Sequence, residues 1–103
     1  MIKYWIDDIR PAPEGYIRIC SVNEFKNCIS PHLPDRGEVF LLDIDHDAGD
    51  WAFDGGDYIK ILDYMEEVAA EYGCRIQVHI HSMNPVGIQK MRTIIRHNGW
   101  QEI

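Results

Sequence analysis

Seven residues able to do chemistry fall in three short runs: Asp7 and Asp8, then Asp45, His46 and Asp47, then His79 and His81. Clustered carboxylates repel one another unless a cation or a shared proton relieves them. Asp7, Asp8, Asp45 and Asp47 are therefore candidate ligands for a hard divalent ion such as Mg²⁺, and an imidazole in the set shifts the choice toward Mn, Fe or Zn. His79 and His81 are two residues apart, and such positions on a strand project from the same face. Co-facial imidazoles either hold a metal jointly or serve as acid and base across a reacting phosphate. His46 adds a further ligand or proton donor. Bland alternatives stand beside these: His79 packed under a helix with its nitrogens satisfied, and Asp8 and Asp47 as turn caps. Asp43 has the strand parity of Asp45 but lies two residues deeper. It reads as a strand-interior support group and is left outside the site.

A second set has the character of an anion site. Ser82 to Gly87 forms a turn into a helix, and the free N–H groups of a helix N-terminus attract anions. The Ser82 hydroxyl and the amides near Val86 and Gly87 are candidate phosphate donors, with Asn84 either orienting the phosphate or simply capping the helix. Arg10 either forks onto a phosphate or pairs with Glu14 or Asp8. Trp51 and Phe53 are apolar residues in a polar loop. They form a lid or partner contact, or else fold back onto the core.

These groups need elements to hold them. Met1 to Ile6 has strand composition and ends at the first acidic pair. Two prolines and a glycine in 11–15 argue against a regular helix there. Tyr16 to Cys20 is again strand-like. Ser21 with Glu24 three residues on predicts a capped helix to about Ile29, burying Val22, Phe25 and Ile29. Pro31, Pro34 and Gly37 mark a loop. Glu38 to Asp45, with its continuous apolar run, predicts a buried strand. Asp45 to Gly56 is a polar loop. Asp57 to Tyr72 predicts a helix with Ile61, Leu62, Met65, Val68 and Ala69 on one stripe, Asp57 favouring its dipole and Gly73 as its stop. Arg75 to His81 is another strand. Asn84 and Pro85 open a last helix with Met91, Ile94 and Ile95 inward, Asn98-Gly99 end it, and Trp100 to Ile103 suits a final short strand.

Strands alternating with helices predict a three-layer α/β domain with a mostly parallel sheet, in which ligands bind beyond the carboxyl ends of the strands. All three acidic and imidazole runs fall at that edge. With 103 residues the chain supports one domain, 1–103. A net charge of −7 argues against a broad grip on duplex DNA and leaves a small phosphate-containing ligand open. Three cysteines without a C-x-x-C pair read as reduced, mostly buried thiols. No run approaches a membrane span and no signal-peptide pattern opens the chain, so a cytoplasmic protein without a membrane partner is expected.

The runs DDIRPAPEG (7–15), LDIDHDAG (42–49) and HIHSMNPVG (79–87) resemble the cyclic-phosphate-processing receiver-like domain family, and the resemblance covers nearly the whole chain. It implies a receiver-like, flavodoxin-type fold whose first crossover helix is replaced by a loop. It also implies a rebuilt site, with Asp45 at the phosphoacceptor position of ordinary receivers, Asp7 and Asp8 at the Mg²⁺-binding acidic pair and Ser82 at the hydroxyl switch. Ala48 stands where the family usually has leucine. No lysine follows Lys90, so the lysine of a signalling receiver has no counterpart.

Two functions are expected. One is a metal-assisted phosphoesterase that processes cyclic phosphates on nucleotides or RNA ends. In it His46, His79, His81 and Asp45 are catalytic, Arg10, Ser82, Asn84 and Gly87 bind phosphate, and Asp7, Asp8, Asp45 and Asp47 hold Mg, Mn or Zn. The other is a non-catalytic module that is phosphorylated at Asp45 or binds a nucleotide.

Overall fold

The computed structural model describes residues 1–33 and 37–103; Pro34, expected in a loop, lies outside the described residues. Five strands form a wholly parallel sheet: β1 (Ile2–Ile6), β2 (Ile17–Ile19), β3 (Val39–Ile44), β4 (Arg75–Ile80) and β5 (Gln101–Glu102), in the order β2-β1-β3-β4-β5. Three α-helices connect them: α1 (Val22–Ile29), α2 (Ile59–Tyr72) and α3 (Pro85–Asn98). This is the parallel α/β architecture expected from the alternation of elements, and it agrees with the receiver-like fold that the resemblance implies.

Local signals explain most boundaries. Ser21 caps α1 by accepting from the Glu24 amide, and the Glu24 carboxylate accepts from the Cys20 amide. Asn84 caps α3 by accepting from the Gly87 amide, with Pro85 at the first helical position. Gly73 and Gly99 end α2 and α3 in the left-handed conformation, at φ 70° and 67°. α2 starts at Ile59, two residues later than expected: the Asp57 carboxylate accepts from the Ala48 amide at 3.1 Å and closes the preceding loop.

The sheet has one apolar face. Tyr4, Ile6, Phe40, Leu42, Ile44, Ile76 and Val78 join the helices in a single core cluster. The other parity, with Lys3, Trp5, Leu41, Asp43, Gln77 and His79, lies outside that cluster. The expected third layer is therefore absent among the described residues: the helices form one layer, and the second sheet face has no helix on it. Connection handedness accounts for this. The β2–β3, β3–β4 and β4–β5 crossovers all progress in the same direction across the sheet, so right-handedness puts α1, α2 and α3 on one side. Only β1–β2 runs the opposite way, and loop 7–16 replaces its helix.

Candidate functional site

The carboxyl ends of β1, β3 and β4 meet at one edge of the sheet, as the strand register requires: Trp5 pairs with Asp43, and Asp43 with His79. All three share the parity of the helix-free face. Asp7 continues β1 with its backbone N–H donating to the Ile19 carbonyl, and the residue is 1% exposed. Asp7 Oδ1 accepts from the amides of Ile9 and Arg10, both at 2.9 Å, which leaves Oδ2 facing the site.

His81 is held between two carboxylates. Its Nδ1 lies 2.6 Å from Asp43 Oδ1 and its Nε2 lies 2.9 Å from Asp7 Oδ2. Carboxylates only accept, so a ring flanked in this way carries both protons and is an imidazolium. Burial works against that charge, but the bonds to Asp43 and Asp7 outweigh it and raise the His81 pKa above its ordinary value. Reciprocally, burial would raise Asp43, yet His81 and His79 hold it below the usual carboxylate range. Burial likewise opposes ionisation of Asp7, and the Arg10 and Ile9 amides with His81 overcome it. The indole of Trp5 stacks on His81, with centroids 4.1 Å apart and planes 4° from parallel, which adds a cation–π contact.

His79 shares the same acceptor: its Nδ1 lies 2.9 Å from Asp43 Oδ1, and its side chain is 47% exposed. Among the described residues no other hydrogen bond reaches this ring. Asp43 thus orients His79 with Nε2 toward solvent, while His81 is clamped. Packing under a helix, the bland alternative for His79, does not occur.

Asp45 completes a group with Asp7 and His81 whose ligand atoms lie within 4.8 Å of one another. Asp45 Oδ1 accepts from the His46 amide at 2.7 Å, leaving its second oxygen available. Asp8 stays outside this group. Burial first, then the charges of Asp7, Asp45 and Asp50, raise its pKa. Gly49 packs against the Asp8 carboxylate so closely that a Cβ there would collide with it.

The remaining expected site residues gather elsewhere. His46 Nδ1 bonds Asp47 Oδ1 at 2.8 Å, and these two form a separate group with Asp57. The expected four-carboxylate metal site therefore divides, because the chain turns after Asp45 and carries Asp47 toward the N-terminus of α3. There the side-chain Nδ2 of Asn84 lies 3.4 Å from Asp47 Oδ1. Gly87 is needed because a Cβ would strike the His46 ring. Its amide is occupied by the Asn84 cap at 3.0 Å, so it is not a free phosphate donor. Ser82 Oγ accepts from the Asn84 amide at 3.1 Å. Arg10 pairs with neither Glu14 nor Asp8: its Nη1 donates to the His81 carbonyl at 3.2 Å and lies 3.8 Å from Asp7 Oδ2.

Trp5 escaped the sequence reading, which places Asp43 outside the site as a strand-interior support group. Asp43 is the hub of the site, and Trp5 is its stacking wall. Parity held the signal: Trp5, Asp43 and His79 occupy one row across three strands, continued by Asp7, Asp45 and His81 two residues on. Trp51 and Phe53 do not fold back onto the core; they stack on each other at 6.1 Å, with Phe53 81% exposed. A cavity of ≈ 580 Å³ lies at the other end of the strands, lined by residues including Val39, Arg75, Asn98 and Trp100, and touches none of these groups.

The family model of the cyclic-phosphate processing receiver domain matches residues 2–97. The chain belongs to this family. No curated protein and no solved structure matches it. This cyclic-phosphate processing receiver domain carries carboxylates at the ends of β1 and β3 and two imidazoles at the end of β4. No described helix is long and apolar enough to cross a membrane. The three cysteines are free and half-buried.

Proposed function

We propose that this domain hydrolyses a cyclic phosphodiester, with a 2′,3′-cyclic phosphate on a nucleotide or RNA end as the substrate class. The carrying observation is the shared acceptor: one oxygen of Asp43 orients the exposed His79 and fixes the buried His81. A phosphoacceptor site has no need of such a pair, whereas a carboxylate-oriented imidazole with a free Nε2 is the arrangement of a general base.

Asp7, Asp45 and His81 would hold a divalent ion once His81 gives up the Nε2 proton that it shares with Asp7. Two carboxylates and one imidazole suit Mn, Fe or Zn, and each carboxylate has an oxygen not used by the backbone. When bound, such an ion supplies Lewis-acid polarisation of the phosphoryl group. The protein's own residues do the rest. His79 Nε2 takes a proton from the attacking water as its oxygen bonds to phosphorus. One ring P–O bond breaks, and the departing ribose oxygen takes a proton from solvent. Asp43 stabilises the imidazolium formed at His79. Arg10, half-exposed beside Asp7, reaches an equatorial phosphate oxygen.

The test is turnover of 2′,3′-cyclic mononucleotides with a panel of divalent ions, by wild type and His79→Gln. Loss of turnover in the variant is expected. Absence of wild-type turnover across the panel, with a mass gain of one phosphoryl group after acetyl phosphate and Mg²⁺, would replace hydrolysis by phosphorylation at Asp45.

A further inference from the structure

We propose that the helix-free face of the sheet is the docking surface for a single-stranded RNA whose terminal cyclic phosphate enters the site. This rests on the reading above and adds where the rest of the substrate lies. The chain as a whole is acidic, at −7. The strand residues that face away from the helices are the reverse. The strand residues of that parity include three cations, Lys3 on β1, Arg18 on β2 and Arg75 on β4. Their one acid is Asp43, which is buried and engaged by two imidazoles. Among the described residues none of the three cations is in an ion pair; Lys3 Nζ lies 5.3 Å over the Tyr16 ring, and Arg18 touches only the Asp8 carbonyl, at 3.4 Å.

The site opens onto this face. Exposed His79 belongs to the same parity as Lys3 and Arg18, so a phosphate at its Nε2 sits above the open sheet rather than above the helices. A polymer attached to that phosphate has two ways out. Loop 45–57 bears Asp47, Asp50, Asp54 and Asp57, and repels a phosphate backbone. The open sheet offers cations and, beside His81, the Trp5 and Tyr16 rings, edge to face at 6.2 Å. Aromatic rings on a sheet with flanking cations suit unpaired bases and a charged backbone. The cyclic 2′,3′-phosphate itself selects RNA, since DNA lacks the 2′-oxygen.

The experiment measures fluorescence anisotropy of a labelled oligouridylate ending in a 3′-phosphate, against wild type, Lys3→Glu/Arg18→Glu/Arg75→Glu and the neutral Lys3→Gln/Arg18→Gln/Arg75→Gln. Arg18 and Arg75 are exposed and Lys3 is half-buried, and circular dichroism confirms that each variant is folded. Three released counterions predict a slope of log K against log salt of about −2, flattened toward zero in the neutral variant. The reversed variant loses binding tenfold or more. In parallel, cyclic mononucleotide turnover is compared among the three proteins. Retained mononucleotide turnover with lost oligonucleotide binding supports the surface. Wild-type turnover without oligonucleotide binding overturns the surface and leaves the hydrolysis reading standing. Binding that the variants abolish, without turnover of any substrate, supports the surface and overturns hydrolysis. A concentration-dependent dimer in sedimentation, dissolved by the reversed charges and indifferent to RNA, overturns the proposal in favour of a second copy on this face.

Discussion

Replacing Asp43 with Asn keeps its shape and removes its charge. Two hydrogen bonds, at 2.9 Å from His79 and 2.6 Å from His81, lose their charged acceptor. A bond to a charged group contributes about 1.5–3 kcal/mol and a neutral one about 0.5–1.5, so the pair loses about 2–3 kcal/mol. For a domain of this size that lowers Tm by about 10–20 °C. The pH dependence follows from the shifted groups. His81 is raised, so its stabilisation is complete below the histidine value of 6.5 and is lost as pH rises through its folded pKa. Asp7 and Asp43 are lowered, so theirs is complete above 3.8 and is lost as pH falls through their folded values. Wild type is therefore most stable between these limits. Urea unfolding followed by circular dichroism at about pH 5.5 and about pH 9 checks this, the two values lying either side of ordinary histidine titration. The gap between wild type and Asp43→Asn is expected to be largest at the lower pH and to narrow at the higher one, as His81 gives up its proton. Equal midpoints at the lower pH, or a gap that widens at the higher one, would refute the buried imidazolium.

The two histidines separate by what they support. His79→Gln lowers kcat about 10²–10⁴-fold and stability by about 1 kcal/mol, whereas His81→Gln lowers stability by about 2–4 kcal/mol; parallel melts and kinetics check the split. Gly87→Ala drives a methyl into the His46 ring and costs about 1–3 kcal/mol, read as a lower urea midpoint with unchanged slope. Divalent ion and proton compete for His81 Nε2, so Mn²⁺ affinity rises with pH and binding releases a proton; calorimetry in two buffers of different ionisation enthalpy measures it, and Asp45→Asn weakens binding about tenfold or more.

Periodicity and capping residues were enough to place the elements. Ser21 with Glu24, Asn84 with Pro85, and the glycines at 73 and 99 set helix ends through bonds local to the chain, and the apolar run 39–42 identified a strand buried in the sheet. The rule that α/β sheets bind ligands at their carboxyl edge then brought Asp7, Asp45, His79 and His81 to one place. Sequence order also carried the two-residue spacing of the imidazoles, which dictates that they share a face.

What the chain alone did not decide was which carboxylate meets which ring. Asp43 lies 36 residues from His79, and only the β3–β4 register sets them side by side. The same depth that made Asp43 look like a support group makes it the anchor of both imidazoles, because a buried acceptor holds a charged donor more firmly than an exposed one. Asp47 and His46 diverged from the cluster for the complementary reason. They follow the strand, and a loop bends by tertiary contacts, here the close approach of His46 to Gly87, which no local pattern encodes. The missing helical layer has the same origin. The sequence by itself determined the strands, the helices, their caps and the edge on which polar groups collect, since these depend on near neighbours; the partners within the site and the open, cationic face depend on strand order and crossover direction, which exist only once distant segments pair.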